Sequence, residues 1–384
     1  MKIYYFDYNA TTPIAKEVFE EMKPFLTETY GNPSSIHRLG KNSLRAVSRA
    51  REQVAALIGA SPREIIFTSG ATESNNAAIQ SVLAQYPGKK KIVTTVVEHS
   101  SVRNVIDQLE KQERVQAVRI PVDRHGKMDL SQFARELTDQ VALVSIMWAN
   151  NETGIIFPMK EIADLVKSHG ILLHVDTVQA VGKIPIDLSK IGIDFLSLSA
   201  HKFYGPKGVG VLFVRDGLPF HPFIFGGHQE RGRRGGTENV PGIIGMGKAA
   251  QWVKHHLNET ASRLQKLREQ LETILISKIP SSFVNGKTSD RICNTISLTI
   301  PNVSAEALIP RLDEIGICVS SGSACITGAL EPSHVLQAMG LSRKLALSSI
   351  RLSLGCMTSE EEVNYVGEIL PELVSQIQRV ACPS

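Results

Sequence analysis

Short apolar runs recur along the chain, each followed by a polar cluster and then by a stretch with helical periodicity. The runs are EIIFT (64–68), KIVTTVV (91–97), ALVSIMWA (142–149), ILLHV (171–175) and DFLSLS (194–199), with GVGVLFV (208–214) close behind. Strands buried on both faces read as near-continuous apolar runs, and their alternation with helices predicts an α/β architecture with a mostly parallel sheet between helices. GVGVLFV follows its predecessor too closely for a helical crossover, so it is expected to run antiparallel and make the sheet mixed.

From His256 to about Ile279 the pattern changes. Leu257, Leu264, Leu267, Leu271 and Ile274 fall at helical spacing among charges and predict one long amphipathic helix. Beyond it lie short β segments, NTISLTI (294–300) and SIRLSL (349–354), further helices, and a charged final helix from about Ser359. The expected division is a large domain over residues 15–255 and a smaller α+β domain formed by residues 1–14 and 256–384. The opening residues contain Pro13 and turn formers and lead into an amphipathic helix, AKEVFEEMKPFL.

Composition narrows the function classes. A chain of 384 residues with 42% hydrophobic content can build two cores. The 42 basic and 38 acidic residues are spread evenly, giving +4 without a charged tail. The basic loop GGHQERGRRGGTENV has no interleaved aromatic residues, so no direct nucleic-acid binding is expected. No apolar run reaches the ~18 residues that a bilayer span needs and the amino terminus lacks a signal-like core, which predicts a cytoplasmic protein without a membrane partner. Five cysteines, Cys293, Cys318, Cys325, Cys356 and Cys382, form no C-x-x-C pair. Neither a disulfide framework nor a metal site is expected. Cys293 and Cys318 adjoin apolar segments and read as core residues, whereas Cys325 lies in SSGSACITGALEPSH, with no apolar periodicity to bury it.

Candidate chemistry gathers at the strand ends, which in open α/β sheets face the ligand crevice. After EIIFT, SGATESNN offers a tight turn at Gly70 and a helix start at Ala71 and Thr72, whose free N–H groups suit an anion. The other runs lead into Glu98-His99, Asn150-Asn151, Asp176 with Gln179 one turn on, and Ala200-His201-Lys202. Singly, each also reads as a helix cap or a satisfied loop group. Together, an anion-binding helix start, an imidazole, an amide, a carboxylate and a lysine suit pyridoxal phosphate: the lysine for its aldehyde, the aspartate for its pyridinium nitrogen, the helix start for its phosphate. Neither G-x-G-x-x-G nor a Walker A lysine motif is present where a nucleotide site would need it.

YFDYNATTP, GNPSSIHRLG, FTSGATESNN, EHSSV, NNETG, HVDTVQAVGK, SLSAHKFYGPKGVG, GGHQERGRRGGTENV, SSGSAC and SIRLSLG occur in this order. This series resembles the fold type I pyridoxal-phosphate enzymes, and among them the cysteine desulfurases of the nitrogen-fixation and iron-sulfur type, over essentially the whole chain. The resemblance implies a fold type I transferase architecture. It implies Lys202 as the Schiff-base lysine, Asp176 as partner of the pyridine nitrogen, Gln179 as donor to the phenolic oxygen and His99 as the ring stacked on the cofactor. Asn151 is implied beside cofactor and substrate. Ala71, Thr72, Ser199 and His201 are implied at the phosphate, with Thr237 reaching it from a second subunit of a homodimer. Arg351 is implied as the clamp on the substrate carboxylate, and Cys325 as the thiol that takes sulfur from L-cysteine, leaving alanine and a persulfide destined for an acceptor such as an iron-sulfur scaffold protein. An unperturbed thiol, with pKa about 8.5, is only a few per cent ionised at pH 7. His99 is a candidate proton carrier for the substrate thiol, or a stacking residue only. Small residues and glycines around Cys325 predict a loop able to carry it. Ala200 stands where many relatives have glycine, and the chain closes at ACPS without a scaffold-docking tail. Other fold type I reactions, such as selenocysteine lyase, sulfinate desulfinase or aminotransferase, remain open, as does a non-catalytic scaffold.

Overall fold

The computed structural model describes residues 2–321, 325–326 and 329–381, the side chains of 325–326, 329–330 and 380–381 excepted. Among the described residues, seven strands form the central sheet: β1 (Ile65–Thr68), β2 (Lys91–Thr95), β3 (Gln116–Ile120), β4 (Val141–Met147), β5 (Leu172–Asp176), β6 (Phe195–Ser199) and β7 (Gly210–Val214). Their order is β1-β7-β6-β5-β4-β2-β3. β7 runs antiparallel to both neighbours, as the short connection from β6 requires, and the remaining pairs are parallel. The mixed, mostly parallel sheet therefore matches the pattern of apolar runs. β3 does not appear among those runs. It is an edge strand, exposed at Gln116 and half-buried over the next three residues, so it never needed the continuous apolar run that marks an interior strand.

Adjacent residues of each strand feed opposite layers. Ile66, Leu143 and Leu212 pack with α2 (Ala71–Gln85) and α3 (Ser100–Lys111), while Ile65, Val144 and Val211 join α1 (Arg38–Ile58), α4 (Met159–Ser168) and the first half of α5 (Val240–Lys278). α5 begins sixteen residues before the amphipathic pattern does. Its first half, VPGIIGMGKAAQWV, is apolar and glycine-containing, which hides the helix from a periodicity reading. The glycine has a packing reason: a Cβ on Gly247 would lie 2.6 Å from Ala50 Cα, so only glycine lets α5 approach α1 this closely.

A separate apolar cluster holds Phe6, Leu271, Ile296, Leu298, Ile350 and Leu352. It joins the second half of α5 to the antiparallel strands Thr295–Thr299 and Ser349–Ser353, to α6 (Ala305–Glu314) and to α8 (Glu360–Ala381). The opening segment ties this cluster to the sheet. Tyr4–Tyr5 pairs with Ile317–Cys318, Phe6 enters the separate cluster, and Tyr8 and Ala15 enter the core beside the sheet. Between those anchors, Asn9 and Ala10 border the crevice at the strand ends.

Candidate active site

A cavity of about 630 Å³ opens beyond the carboxyl ends of the sheet strands. Ala71, Thr72, His99, Asn151, Asp176, Gln179, Ser199, His201, Lys202 and Arg351 all line it. Parallel strand direction is the reason: residues far apart in sequence leave their strands on the same edge.

Lys202 follows β6 on a single tight turn. Its Nζ donates to the carbonyls of Asn9 and Ala10, each at 2.7 Å. Burial, with help from the Arg351 charge, pushes its pKa down to about 8. Across the cavity, the buried Asp176 carboxylate accepts from Val178 N at 3.0 Å and from Asn75 Nδ2 at 2.9 Å. Each carboxylate oxygen thus has a donor of its own, which fixes the side chain's orientation toward the cavity. Gln179 turns its oxygen to Lys183 Nζ and donates its amide nitrogen to Asn9 O at 3.0 Å. Lys183 also donates to Asn9 Oδ1 at 3.2 Å, and burial pushes it down to about 7.

His99 caps α3 with its Nδ1 facing Ser101 N at 3.2 Å and Ser101 Oγ at 2.8 Å. Burial, with help from Lys202 and Arg103 and against Asp176, holds it below the usual histidine value. On the anion side, Gly70 precedes α2, and a Cβ on Gly210 would meet Gly70 Cα at 2.6 Å, so glycine lets β7 pass this turn. The turn also holds a carboxylate: Glu73 Oε2 accepts from Ser69 N at 2.9 Å, while Oε1 pairs with Arg234 Nε at 2.9 Å. His201 Nδ1 lies 3.1 Å from Thr11 Oγ1. Burial, then Lys202 and Lys207, push His201 down to about 4, leaving it neutral at pH 7.

Arg351 is buried. Nη2 reaches Asp7 Oδ1 at 2.7 Å and Nη1 reaches Asn151 O at 3.0 Å, while Nε has no partner among the described residues. Each terminal nitrogen keeps a second N–H, so the guanidinium can still meet a carboxylate. Thr237 is not brought into this cavity. It lines a smaller neighbouring pocket with Ser69, Gly208, Glu230 and Arg234.

The Cys325 side chain lies outside the described residues, as does Cys382. The backbone of Cys325–Ile326 pairs antiparallel with Ala329–Leu330. The start of this segment is tied to the cavity-lining Arg351, and its end to residues adjacent in the chain to the lining His99 and Asn151. At the start, Ser320 exchanges backbone hydrogen bonds with Arg351 at 2.6 and 3.1 Å. At the end, Ser333 Oγ donates to the buried Glu152, and His334 Nε2 donates to Glu98 O at 3.0 Å. Five extended residues reach about 17 Å, so a thiol at 325 stays within range of an anchor at Ser320.

Cys293 is buried, and Cys318 and Cys356 are partly so. His37 only caps α1, and His255 and His256 bond carbonyls one turn back on the surface of α5. Sequence reading passed over Asn9, Asn75, Ser101 and Lys183. Asn75 lies one turn into α2, on the same face as Ala71, which is the signal that could have placed it at the crevice.

Residues 4–366 match the family described as aminotransferase class-V. The chain belongs to that family. Within it, a curated relative named cysteine desulfurase from Trichormus azollae is 49% identical over 381 residues, covering 99% of this chain and 95% of that one. A solved NifS-like protein superposes with a TM-score of 0.92 at 40% identity, covering 98% of this chain and all of that one. Another solved structure, SspA in complex with cysteine, gives 0.81 at 35% identity, over 91% and 98%. Aminotransferase class-V enzymes of this kind use pyridoxal phosphate. The donor set suits it: a lysine of depressed pKa, a carboxylate oriented by a donor on each oxygen, and a helix start, all on one cavity.

Proposed function

We propose that this chain is a cysteine desulfurase that takes sulfur from L-cysteine and leaves it as a persulfide on Cys325. The observation carrying this reading is that the segment bearing Cys325 is hydrogen-bonded at its start to Arg351, which lines the lysine-aspartate cavity, and at its end to Glu98 and Glu152, the chain neighbours of the lining residues His99 and Asn151. An aminotransferase has no use for a thiol there. Pyridoxal phosphate, when bound, supplies the electron sink for bond breaking at the substrate α-carbon.

The chain's own residues do the rest. Lys202 would hold the cofactor through its aldehyde, and, as a lysine whose burial favours the neutral amine, is the group placed to accept the substrate's α-proton. Asp176 holds the ring nitrogen protonated. Ala71, Thr72, Ser199 and His201 would hold the phosphate, Gln179 the phenolic oxygen, and His99 the ring. Arg351 and Asn151 orient the substrate carboxylate. The Cys325 thiolate attacks the substrate sulfur: an S–S bond forms, the C–S bond breaks with its electron pair left on the carbon side, and protonation of the β-carbon together with return of the α-proton from Lys202 gives alanine.

A homodimer belongs to this reading, because Thr237, outside its own chain's cavity, would complete the phosphate site of a second copy. So does the division into a large domain and a smaller one bearing the Cys325 segment. The sulfur passes to an acceptor protein, such as an iron-sulfur scaffold, in the cytoplasm. None of the described helices is long and apolar enough to cross a membrane.

The test is mass spectrometry after incubation with L-cysteine. One added sulfur on the Cys325 peptide, with alanine released, is expected, and Cys325→Ser should stop sulfur transfer while leaving cofactor absorbance intact. An unmodified peptide under active turnover would sink the reading.

A further inference from the structure

A line of four side chains joins two residues that line the cavity, Asp176 and His99. The Asn75 amide nitrogen donates to Asp176 Oδ2 at 2.9 Å and to Ser101 Oγ at 2.8 Å. An ionised carboxylate only accepts, so Asp176 dictates which way the Asn75 amide faces. Asn75 Oδ1 is accordingly left without a partner among the described residues. The Ser101 hydroxyl receives one hydrogen bond from Asn75 and has a single proton to give. Its neighbour for that proton is His99 Nδ1, at 2.8 Å. The Ser101 backbone N–H meets the same Nδ1 at 3.2 Å. Two donors on one nitrogen make it the acceptor, so the neutral ring carries its proton on Nε2. Nε2 has no partner within the described protein, and the ring lines the cavity.

We propose that Asn75 and Ser101 are positioning residues that hold His99 as the Nε2–H tautomer, so that His99 offers the substrate a hydrogen-bond donor and does not act as a base at Nε2. The Ser101 backbone N–H decides the direction: it can only donate, so Nδ1 accepts, and the Ser101 hydroxyl, already accepting from Asn75, turns its proton to the same nitrogen. Burial already holds the ring below the usual histidine value, and a donor on Nδ1 acts in the same direction by favouring the neutral form. The inference rests on the desulfurase reading for the identity of the substrate, yet the proton's location can be read without turnover.

The experiment uses holoenzyme labelled with ¹⁵N-histidine, with the His99 ring assigned by its loss in His99→Gln. Long-range ¹H–¹⁵N spectra should show a protonated Nε2 and an unprotonated Nδ1. Ser101→Ala removes one donor from Nδ1. It should raise the His99 titration midpoint and lower kcat about tenfold with KM within about twofold, less than the 10²–10³ expected for removing a donor that touches the reacting atoms directly. Ser101→Thr keeps the hydroxyl and should restore both. Asn75→Ala should shift the midpoint the same way; if it does not fold, the Ser101 pair decides. A resting proton on Nδ1, or Ser101→Ala with unchanged titration and kcat, overturns the inference. Full desulfurase activity with an Nδ1 proton would defeat this wiring alone, whereas an Nε2 proton in a chain that releases no alanine would defeat the desulfurase reading and leave the wiring standing.

Discussion

Arg351 touches two functions at once. Its terminal nitrogens hold Asp7 and the Asn151 carbonyl, and its charge helps keep Lys202 near 8. Replacing it with Ala should therefore do more than weaken substrate binding. Capture of pyridoxal phosphate by the cofactor-free protein needs neutral Lys202 amine, so its rate should climb with pH around a midpoint near about 8. With the neighbouring positive charge gone, that midpoint should move upward in Arg351→Ala. Stopped-flow absorbance across a pH series measures it, and an unmoved midpoint would show that Arg351 does not tune the lysine. KM for cysteine should rise about tenfold or more, the loss of a charged, two-pronged carboxylate contact.

Two elements invite tests of the scaffold. α5 and α1 meet through Gly247 against Ala50, where a Cβ would lie 2.6 Å from a backbone atom. Gly247→Val should lower stability by about 1–3 kcal/mol, the usual cost of overpacking, read as a lower denaturant midpoint. α7 (His334–Ala338) is capped by Ser333, whose hydroxyl accepts from Leu336 N at 3.1 Å and donates to Glu152. Ser333→Ala removes both bonds at the far anchor of the Cys325 segment. About 1 kcal/mol of stability should go with the cap. Persulfide formation on Cys325 should slow while cofactor affinity stays unchanged, separating the anchor's role from the cavity's own.

Taken as a whole molecule, the fold carries a buried acid beside its cofactor cavity. Glu98 accepts from Thr95 Oγ1 at 2.6 Å and Met147 N at 3.1 Å, its other oxygen has no partner among the described residues, and burial raises its pKa to about 8. A raised carboxyl pKa means the folded state binds the proton more tightly than the unfolded chain. Its contribution is complete below the ordinary value of 4.5, shrinks as pH rises, and is lost through about 8. Glu98→Gln keeps the shape without titrating. The stability of the native chain relative to this variant should fall as pH rises across that window, measured by denaturant unfolding at fixed ionic strength; a constant difference would mean that Glu98 does not titrate in this way.

The apolar runs, the antiparallel return of β7 and the strand-end positions of His99, Asp176 and Lys202 were legible in the sequence. Each depends on local pattern plus a topological rule that sends parallel strand ends to one edge. β3 and the first half of α5 were not, because an edge strand and a glycine-bearing buried helix lack the periodicities that neighbours impose on interior strands and surface helices. The polar wiring of the site was illegible for another reason. Asn75 meets Asp176 across 101 positions and Asn9 meets Thr295 across 286, and no local pattern encodes such a pair. The sequence by itself determined which chemical groups reach the crevice, since side-chain identity and strand direction are local properties. Only the tertiary structure decided their protonation and orientation, because burial, neighbouring charge and the direction of each hydrogen bond exist once distant segments have packed together.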